Sequence, residues 1–280
     1  MTALAAMRAG AGLVTAAVPA PALPVVSGFA PELMTWPLEA SAAGEILPGN
    51  AASGKLEALV KGMTVLAVGP GMGQSAETEK LLALLLTATT LPAVIDADGL
   101  NILARSPELL AGLGGRGRTV VLTPHPGEMA RLAGITTTEV QANRLDVARE
   151  FAAKYGLTLV LKGAHTLIAH PDGRVAVNTT GNPGMAKGGS GDLLTGVIAG
   201  LLAQFPQEEA LAVEAAVYLH GLAADFAVRA GNERTLLATD SLQEFSRAFN
   251  FHSTGRNGYV WLQGLPGDSG TAKSSSEAAE

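Results

Sequence analysis

Four short apolar runs rich in β-branched residues, at 64–68, 93–96, 119–122 and 157–161, each stop at or beside Gly, Asp or Pro and lead into a stretch with helical spacing. Runs this short and this uniformly apolar suit strands buried on both faces, and their alternation with helices is the pattern of a mainly parallel sheet. The expectation is an α/β fold, doubly wound, with helices on both faces of the sheet. The helices are expected over 76–87, 100–110, 127–132 and 138–155, and in the last of these Val140, Leu145, Ala148 and Phe151 fall at helical spacing. Beyond 161 the pattern changes: 166–169 and 174–177 flank His170-Pro-Asp-Gly173, which predicts a β-hairpin. Ala- and Leu-rich segments at 193–204 and 209–228 predict long helices that cover the sheet.

Composition narrows the function classes. The 280 residues suit one α/β domain, since a domain runs to roughly 100–200 residues and folds of this class often exceed that. Nineteen Lys and Arg against 25 Asp and Glu leave a formal charge of −6, with no basic footprint for a phosphate backbone, so nucleic acid is not an expected partner. The chain has no Cys, which removes disulfides, thiolate nucleophiles and Cys-based zinc sites and fits a reducing, cytoplasmic setting. The start, Met1-Thr-Ala-Leu-Ala-Ala-Met-Arg8, lacks the basic region that precedes a signal peptide's apolar run. The uninterrupted apolar stretches fall short of the ~20 residues of a membrane span, so a soluble protein is expected.

The segment with most chemical content is Asn178-Thr-Thr-Gly-Asn-Pro-Gly-Met-Ala-Lys-Gly-Gly-Ser-Gly-Asp192, which runs directly into an apolar helix. Glycines allow close backbone approach, and a helix N-terminus presents free N–H groups at the positive end of its dipole. Together they form an anion hole. Asp192 stands where the helix should begin, so it is either the helix cap or a base beside that hole. A cap alone needs no glycine run upstream, which favours the base. The run is not a Walker loop, because Gly-x-x-x-x-Gly-Lys-Ser/Thr does not occur in it.

With Val68-Gly-Pro-Gly-Met-Gly73, Asp96-Ala-Asp-Gly-Leu-Asn101, Thr123-Pro-His-Pro-Gly-Glu128 and Lys162-Gly-Ala-His-Thr166 in order before it, this segment resembles the signature of the NAD(P)H-hydrate dehydratases, nucleotide-dependent repair enzymes of the ribokinase-like superfamily. The resemblance runs from about residue 3 to about residue 248. It implies a ribokinase-like fold and the removal of water from (S)-configured hydrated NADH or NADPH (NADHX, NADPHX), driven by ADP or ATP with Mg2+. The ring hydroxyl is activated as in a sugar kinase, and phosphate then leaves. By this resemblance Asp192 is the base, and the amides of Gly189, Ser190 and Gly191 stabilise the transferred charge. Lys162, Gly163, Ala164, His165 and Thr166 line the nucleotide, together with Asn182, Pro183, Gly184, Met185, Ala186, Lys187, Gly188, Gly189, Ser190 and Gly191. Gly71, Gly73, His125 and Asp192 meet the hydrated dinucleotide. No dedicated metal ligands are assigned. The resemblance also implies an NAD(P)HX epimerase as functional partner and a homo-oligomer, with tetramers among the family.

Other readings compete at several positions. Gly71 and Gly73 also suit a tight strand-to-helix turn. His125, between two prolines after a strand, is either a loop residue or a ligand at the strand ends where open α/β sheets bind, and the latter is preferred. Asp96 and Asp98, with Asn101 beyond them, either cap a helix or approach a metal or substrate hydroxyl. Glu128 suits the dipole of the helix it begins. His170 and His220 read as ordinary surface or packed histidines, and His165 less clearly so. Arg8-Ala-Gly-Ala-Gly-Leu-Val14 comes almost at once, so the family's first strand and turn are expected to be missing from a domain over 1–250. Residues 251–280 are expected to be a disordered tail. Two rival functions remain, a ribokinase-like small-molecule kinase and a nucleotide-binding protein without catalysis. A classical NAD-dependent dehydrogenase fails on glycine spacing, because Gln74 stands where its last glycine belongs.

Overall fold

Each of the apolar runs forms a strand. The computed structural model describes residues 1–251 except 53, 115 and 116, so the expected tail lies outside the described residues from 252 onward. Strands β1 (Thr15–Pro19) and β2 (Met34–Leu38) pair in parallel as a small outlying sheet. The central sheet contains β3 (Leu66–Val68), β4 (Ala93–Ile95), β5 (Val120–Leu122), β6 (Thr158–Leu161), β7 (Leu167–Ala169) and β8 (Val175–Val177), neighbours in that order. β3 to β6 run parallel, β7 is antiparallel to β6, and β7 and β8 form the expected antiparallel hairpin.

The helices are α1 (Thr2–Arg8), α2 (Leu23–Ser27), α3 (Lys55–Val60), α4 (Ala76–Ala88), α5 (Asp98–Arg105), α6 (Pro107–Ala111), α7 (Pro126–Ala133), α8 (Thr137–Ala142), α9 (Arg144–Tyr155), α10 (Ser190–Gln204), α11 (Glu209–Ala230), α12 (Ala238–Gln243) and α13 (Phe245–Phe249). Two expected helices are divided. Pro107 has no N–H to continue the ladder of α5 and instead starts α6. Asn143 leaves helical geometry, with φ −132° and ψ 38°, between α8 and α9.

Strand residues alternate between two cores, as the two-residue period requires. Val94, Val121, Val160 and Ile168 face a layer containing Val197, Ile198, Val213 and Val217 of α10 and α11. Ala93, Ile95, Val120, Leu122, Leu159 and Leu161 face Leu82, Leu100, Leu103 and Phe151 of the crossover helices. The crossover helices α4, α5 and α9 thus all pack on one face, which corrects the doubly wound expectation. In a sequentially ordered parallel sheet, right-handed crossovers all return on the same side. The second layer must come from elsewhere, and α1, α10 and α11 supply it. α1 docks closely on α10 because α10 carries glycines there: a Cβ on Gly196 would lie 2.1 Å from the Thr2 carbonyl oxygen. The span Glu209–Arg229 of α11 has the length and hydropathy (1.4) of a membrane helix, but 61% of it is buried within this fold.

Candidate functional site

The carboxyl ends of β3, β4, β5 and β6 stand side by side and release Gly69, Asp96, Thr123 and Lys162, the edge at which open α/β sheets bind ligands. The first two exits touch. Gly69 has φ +120°, and a Cβ there would fall 1.8 Å from the Asp96 carbonyl oxygen, so only glycine fits. The N-terminus of α10 lies over the same edge. A Cβ on Gly191 would sit 3.4 Å from Lys162 Nζ and 3.5 Å from Asp96 Oδ2.

Helix α10 begins at Ser190, three residues earlier than expected, after Gly189 turns the chain at φ +91°. No side chain caps it. Asp192 is the third residue of the helix, so the capping alternative does not hold. Its carboxylate accepts no hydrogen bond among the described residues. Burial is the main influence raising its pKa above the ordinary aspartate value; the charge of Asp96 adds to this, while the Met1 amino group and Lys162 oppose it. A half-buried carboxylate with raised proton affinity, beside amides that no side chain occupies, can accept a proton while those amides hold an anion.

Beneath that turn lies a charged network. Lys162 Nζ is 2.7 Å from Asp96 Oδ1 and 3.8 Å from Glu128 Oε2. Thr195 Oγ1 donates to Asp96 Oδ2 at 3.0 Å. Asp96 therefore neither caps α5, whose cap residue is Ala97, nor stands free. His125 caps α7 through its ring: Nδ1 accepts the N–H groups of Gly127 (3.0 Å) and Glu128 (3.3 Å), and Glu128 Oε2 accepts the His125 N–H (2.8 Å). An accepting Nδ1 places the ring proton on Nε2, and the ring is half exposed. Glu128 thus completes a capping box besides matching the dipole of its helix.

The remaining segments are held by partners that local sequence did not indicate. Asp225 of α11 accepts the Gly181 N–H (2.8 Å) and Asn182 Nδ2 (2.9 Å), and Asn182 Oδ1 accepts the Gly184 N–H (3.1 Å). Lys187 Nζ donates to the carbonyls of Arg234 (2.5 Å) and Leu236 (2.7 Å), which ties the glycine-rich segment to the chain before α12. Arg144, at the start of α9, donates to the carbonyls of Ala164 (2.6 Å) and Leu161 (3.3 Å) around Gly163, whose φ is +144°. His165 takes a left-handed φ of 53° in that turn, and Thr166 Oγ1 donates to the Gly163 carbonyl. Arg144 and Asp225 carried no sequence signal beyond being polar residues in helices.

Gly71 and Gly73 form the tight turn that was the alternative to a ligand role, at φ +67° and +78°, with open space where a Cβ would be. Asp98 secures this turn by accepting the Gly73 N–H (3.0 Å) and Gln74 Nε2 (2.7 Å). Asn101 Oδ1 accepts Arg131 Nε (2.9 Å). His170 is buried, with Nε2 2.8 Å from Glu214 Oε1, and so belongs to the packed histidines. His220 is buried under the start of α10, where desolvation, ahead of a raising contact with the Ser190 carbonyl, lowers its pKa to about 4. Its Nε2 has no hydrogen-bond partner among the described residues.

No group of three or more His, Asp or Glu side chains is placed to hold a metal among the described residues. A hollow of about 310 Å³ lies elsewhere, beside β2 and α3, lined by Trp36, Leu38 and Leu59. Its polar groups, Glu39, Asn50 and Lys55, are bonded to one another, and it gathers no reactive set.

Comparison with known proteins gives a consistent result. The sequence profile described as NAD(P)H-hydrate dehydratase matches residues 1–247. The chain is 46% identical over 242 residues to a bifunctional NAD(P)H-hydrate repair enzyme of Moorella thermoacetica, covering 86% of this chain and 44% of that protein. It is 36% identical over 237 residues to the ADP-dependent (S)-NAD(P)H-hydrate dehydratase of Bacillus subtilis, covering 84% and 78%. The chain thus spans under half the length of the bifunctional relatives. The crystal structure of the ADP/ATP-dependent NAD(P)H-hydrate dehydratase of Bacillus subtilis, co-crystallised with ATP and Mg2+, superposes with a TM-score of 0.74 at 34% identity over 89% of this chain and 82% of that one. A hydroxyethylthiazole kinase of Pyrococcus horikoshii, at 16% identity and a TM-score of 0.59, shares the fold.

Proposed function

This chain belongs to the NAD(P)H-hydrate dehydratase family, and from that premise we propose that it dehydrates (S)-configured NADHX and NADPHX to NADH and NADPH, a hydro-lyase reaction driven by ADP or ATP with Mg2+. The observation that carries the reading is Asp192, a half-buried carboxylate without a hydrogen bond in the uncapped first turn of α10. The activities named for the Bacillus subtilis relatives support it.

The nucleotide supplies the phosphoryl group that makes the ring hydroxyl a leaving group. Asp192 takes the hydroxyl proton as that oxygen bonds to phosphorus. The amides of Gly189, Ser190 and Gly191 hold the phosphoryl oxygens, because phosphoryl transfer needs in-line positioning and charge neutralisation more than covalent help. Phosphate then leaves with the C–O bonding pair as the ring nitrogen's lone pair moves in. Loss of a neighbouring ring C–H proton completes the double bond. His125, with its proton on the half-exposed Nε2, is the hydrogen-bond donor we assign to the dinucleotide beside the Gly71–Gly73 turn. The backbone of residues 162–166 and the segment 182–191 flank the nucleotide.

The experiment is near-ultraviolet absorbance of the protein mixed with NADHX, Mg2+ and ADP or ATP. Regenerated reduced nicotinamide in the presence of one nucleotide is the expected result and identifies the donor. Accumulation of a phosphorylated product without NADH would instead make the protein a small-molecule kinase. A cytoplasmic setting and an epimerase acting on the opposite hydrate epimer belong to the same proposal, and the bifunctional relatives support the second. The exposed Leu13, Val25, Phe29 and Trp36 around the outlying sheet support a homo-oligomer, which sedimentation would read directly.

A further inference from the structure

Gly191, the neighbour of Asp192, lies directly over an oppositely charged pair. A Cβ on this residue would stand at ordinary van der Waals distance from both partners, 3.4 Å from Lys162 Nζ and 3.5 Å from Asp96 Oδ2. The pair therefore packs beneath Gly191, the last residue of the anion hole. Both partners are firmly held. The Lys162 N–H donates to the Pro124 carbonyl at 2.9 Å, which sets the residue between the exits of β5 and β6. Lys162 Nζ lies 2.7 Å from Asp96 Oδ1. The other oxygen of Asp96 accepts Thr195 Oγ1 at 3.0 Å, and Thr195 is fully buried three residues after Asp192, on the same face of α10. Asp96 is thus tied to the helix that carries the base, and Lys162 is tied to Asp96. On its far side Lys162 approaches Glu128, whose carboxylate holds the His125 backbone.

An ammonium turned into a buried carboxylate is not free to follow a nucleotide phosphate. The geometry points to a different task for Lys162: it is a positioning residue whose charge, anchored by Asp96 and Thr195, holds Asp192 ionised and ready as the base. This deepens the dehydratase reading and rests on it. The pair also divides two opposing influences. Lys162 favours the charged form of Asp192, and Asp96 disfavours it. The other groups facing this turn are the Met1 amino group just before α1, which acts with Lys162, and His220 from α11, which stays neutral. Glu128 stands beyond Lys162, and the carboxylate of Asp240 on α12 is engaged by the Leu237 N–H.

The test is the pH dependence of turnover in Lys162→Met and Asp96→Asn, together with a carbon-13 NMR titration of the Asp192 carboxyl in the same ligand-free proteins. Lys162→Met should move the acid limb and the titration up by on the order of one pH unit, and Asp96→Asn should move both down. Nucleotide KM should change by less than about threefold, since about 0.7 kcal/mol or less is then lost from binding. Lys162→Arg, which restores the charge, should return the limb towards the wild type. Removing one partner leaves the other buried and unpaired, so Lys162→Met alone is at risk of misfolding. The Asp96→Asn/Lys162→Met double variant removes both charges while keeping an acceptor for Thr195, and should titrate near the wild type. A large rise in nucleotide KM with an unmoved acid limb and titration would make Lys162 a direct nucleotide ligand and overturn the inference. Because the titration needs no turnover, an inactive wild type would fail the dehydratase reading while the titration still decides the role of the pair.

Discussion

Asp225 reaches from the C-terminal part of α11 to the side chain of Asn182, 2.9 Å away, and holds the neighbouring Gly181 N–H at 2.8 Å with its second oxygen. One buried carboxylate thus fixes the entry to the glycine-rich segment. Asp225→Ala would leave two donors without a partner, each loss worth roughly 1–3 kcal/mol. Thermal unfolding should show a clearly lower midpoint, and the KM for nucleotide should rise more than the KM for the hydrated dinucleotide. Equal rises would place the segment outside the nucleotide site.

Asp192→Asn keeps the size of the side chain and removes its basicity. Turnover should fall by at least about 10²-fold, the lower range for a general base, while nucleotide affinity measured by calorimetry stays largely intact. Near-normal turnover would remove Asp192 from the mechanism.

Gly69 lies against the Asp96 carbonyl with no room for a methyl group. Gly69→Ala should push the exits of β3 and β4 apart and destabilise the protein by at least roughly 1–3 kcal/mol, from overpacking together with a positive φ. Because Asp96 would move with its strand, activity should fall further than stability alone explains. Assays well below the unfolding midpoint separate the two effects.

His220 links stability to acid pH. Its pKa in the folded protein is about 4, below the 6.5 of an unperturbed histidine, so the unfolded chain takes up its proton first as pH falls. The native state should lose stability between pH 6.5 and 4, by up to about 1.4 kcal/mol per pH unit, and no more from this group below that range. Above pH 6.5 the group is neutral in both states and contributes no slope. His220→Gln should therefore show a shallower fall of unfolding midpoint across that window than the wild type, and parallel curves would exclude the linkage.

The fold was legible where the signal is local. Strands buried on both faces must be short and apolar, so 93–96 and 119–122 announced themselves. The Pro-Asp-Gly turn announced its hairpin, and the glycine run before an apolar helix announced a helix start. Helix breaks were not legible at Asn143, where local spacing continues but the chain turns. The winding of the sheet was not legible either, because strand order is a property of how strands pair and not of any strand's own residues.

For the site, the sequence by itself determined which residues stand at the strand ends and at the start of α10, and the order in which they come. What each one touches there is a matter of tertiary structure. It set Asp192 inside the helix instead of at its cap, turned Lys162 inward onto Asp96, gave Asn182 to Asp225 and put Arg144 around Gly163. The physical reason is distance along the chain. The bonds Asp225–Gly181, Lys162–Asp96 and Thr195–Asp96 join residues 44, 66 and 99 positions apart, and no local periodicity records a partner that far away. Burial then makes those pairings decisive, because a charge removed from water must find its partner wherever the fold has placed one.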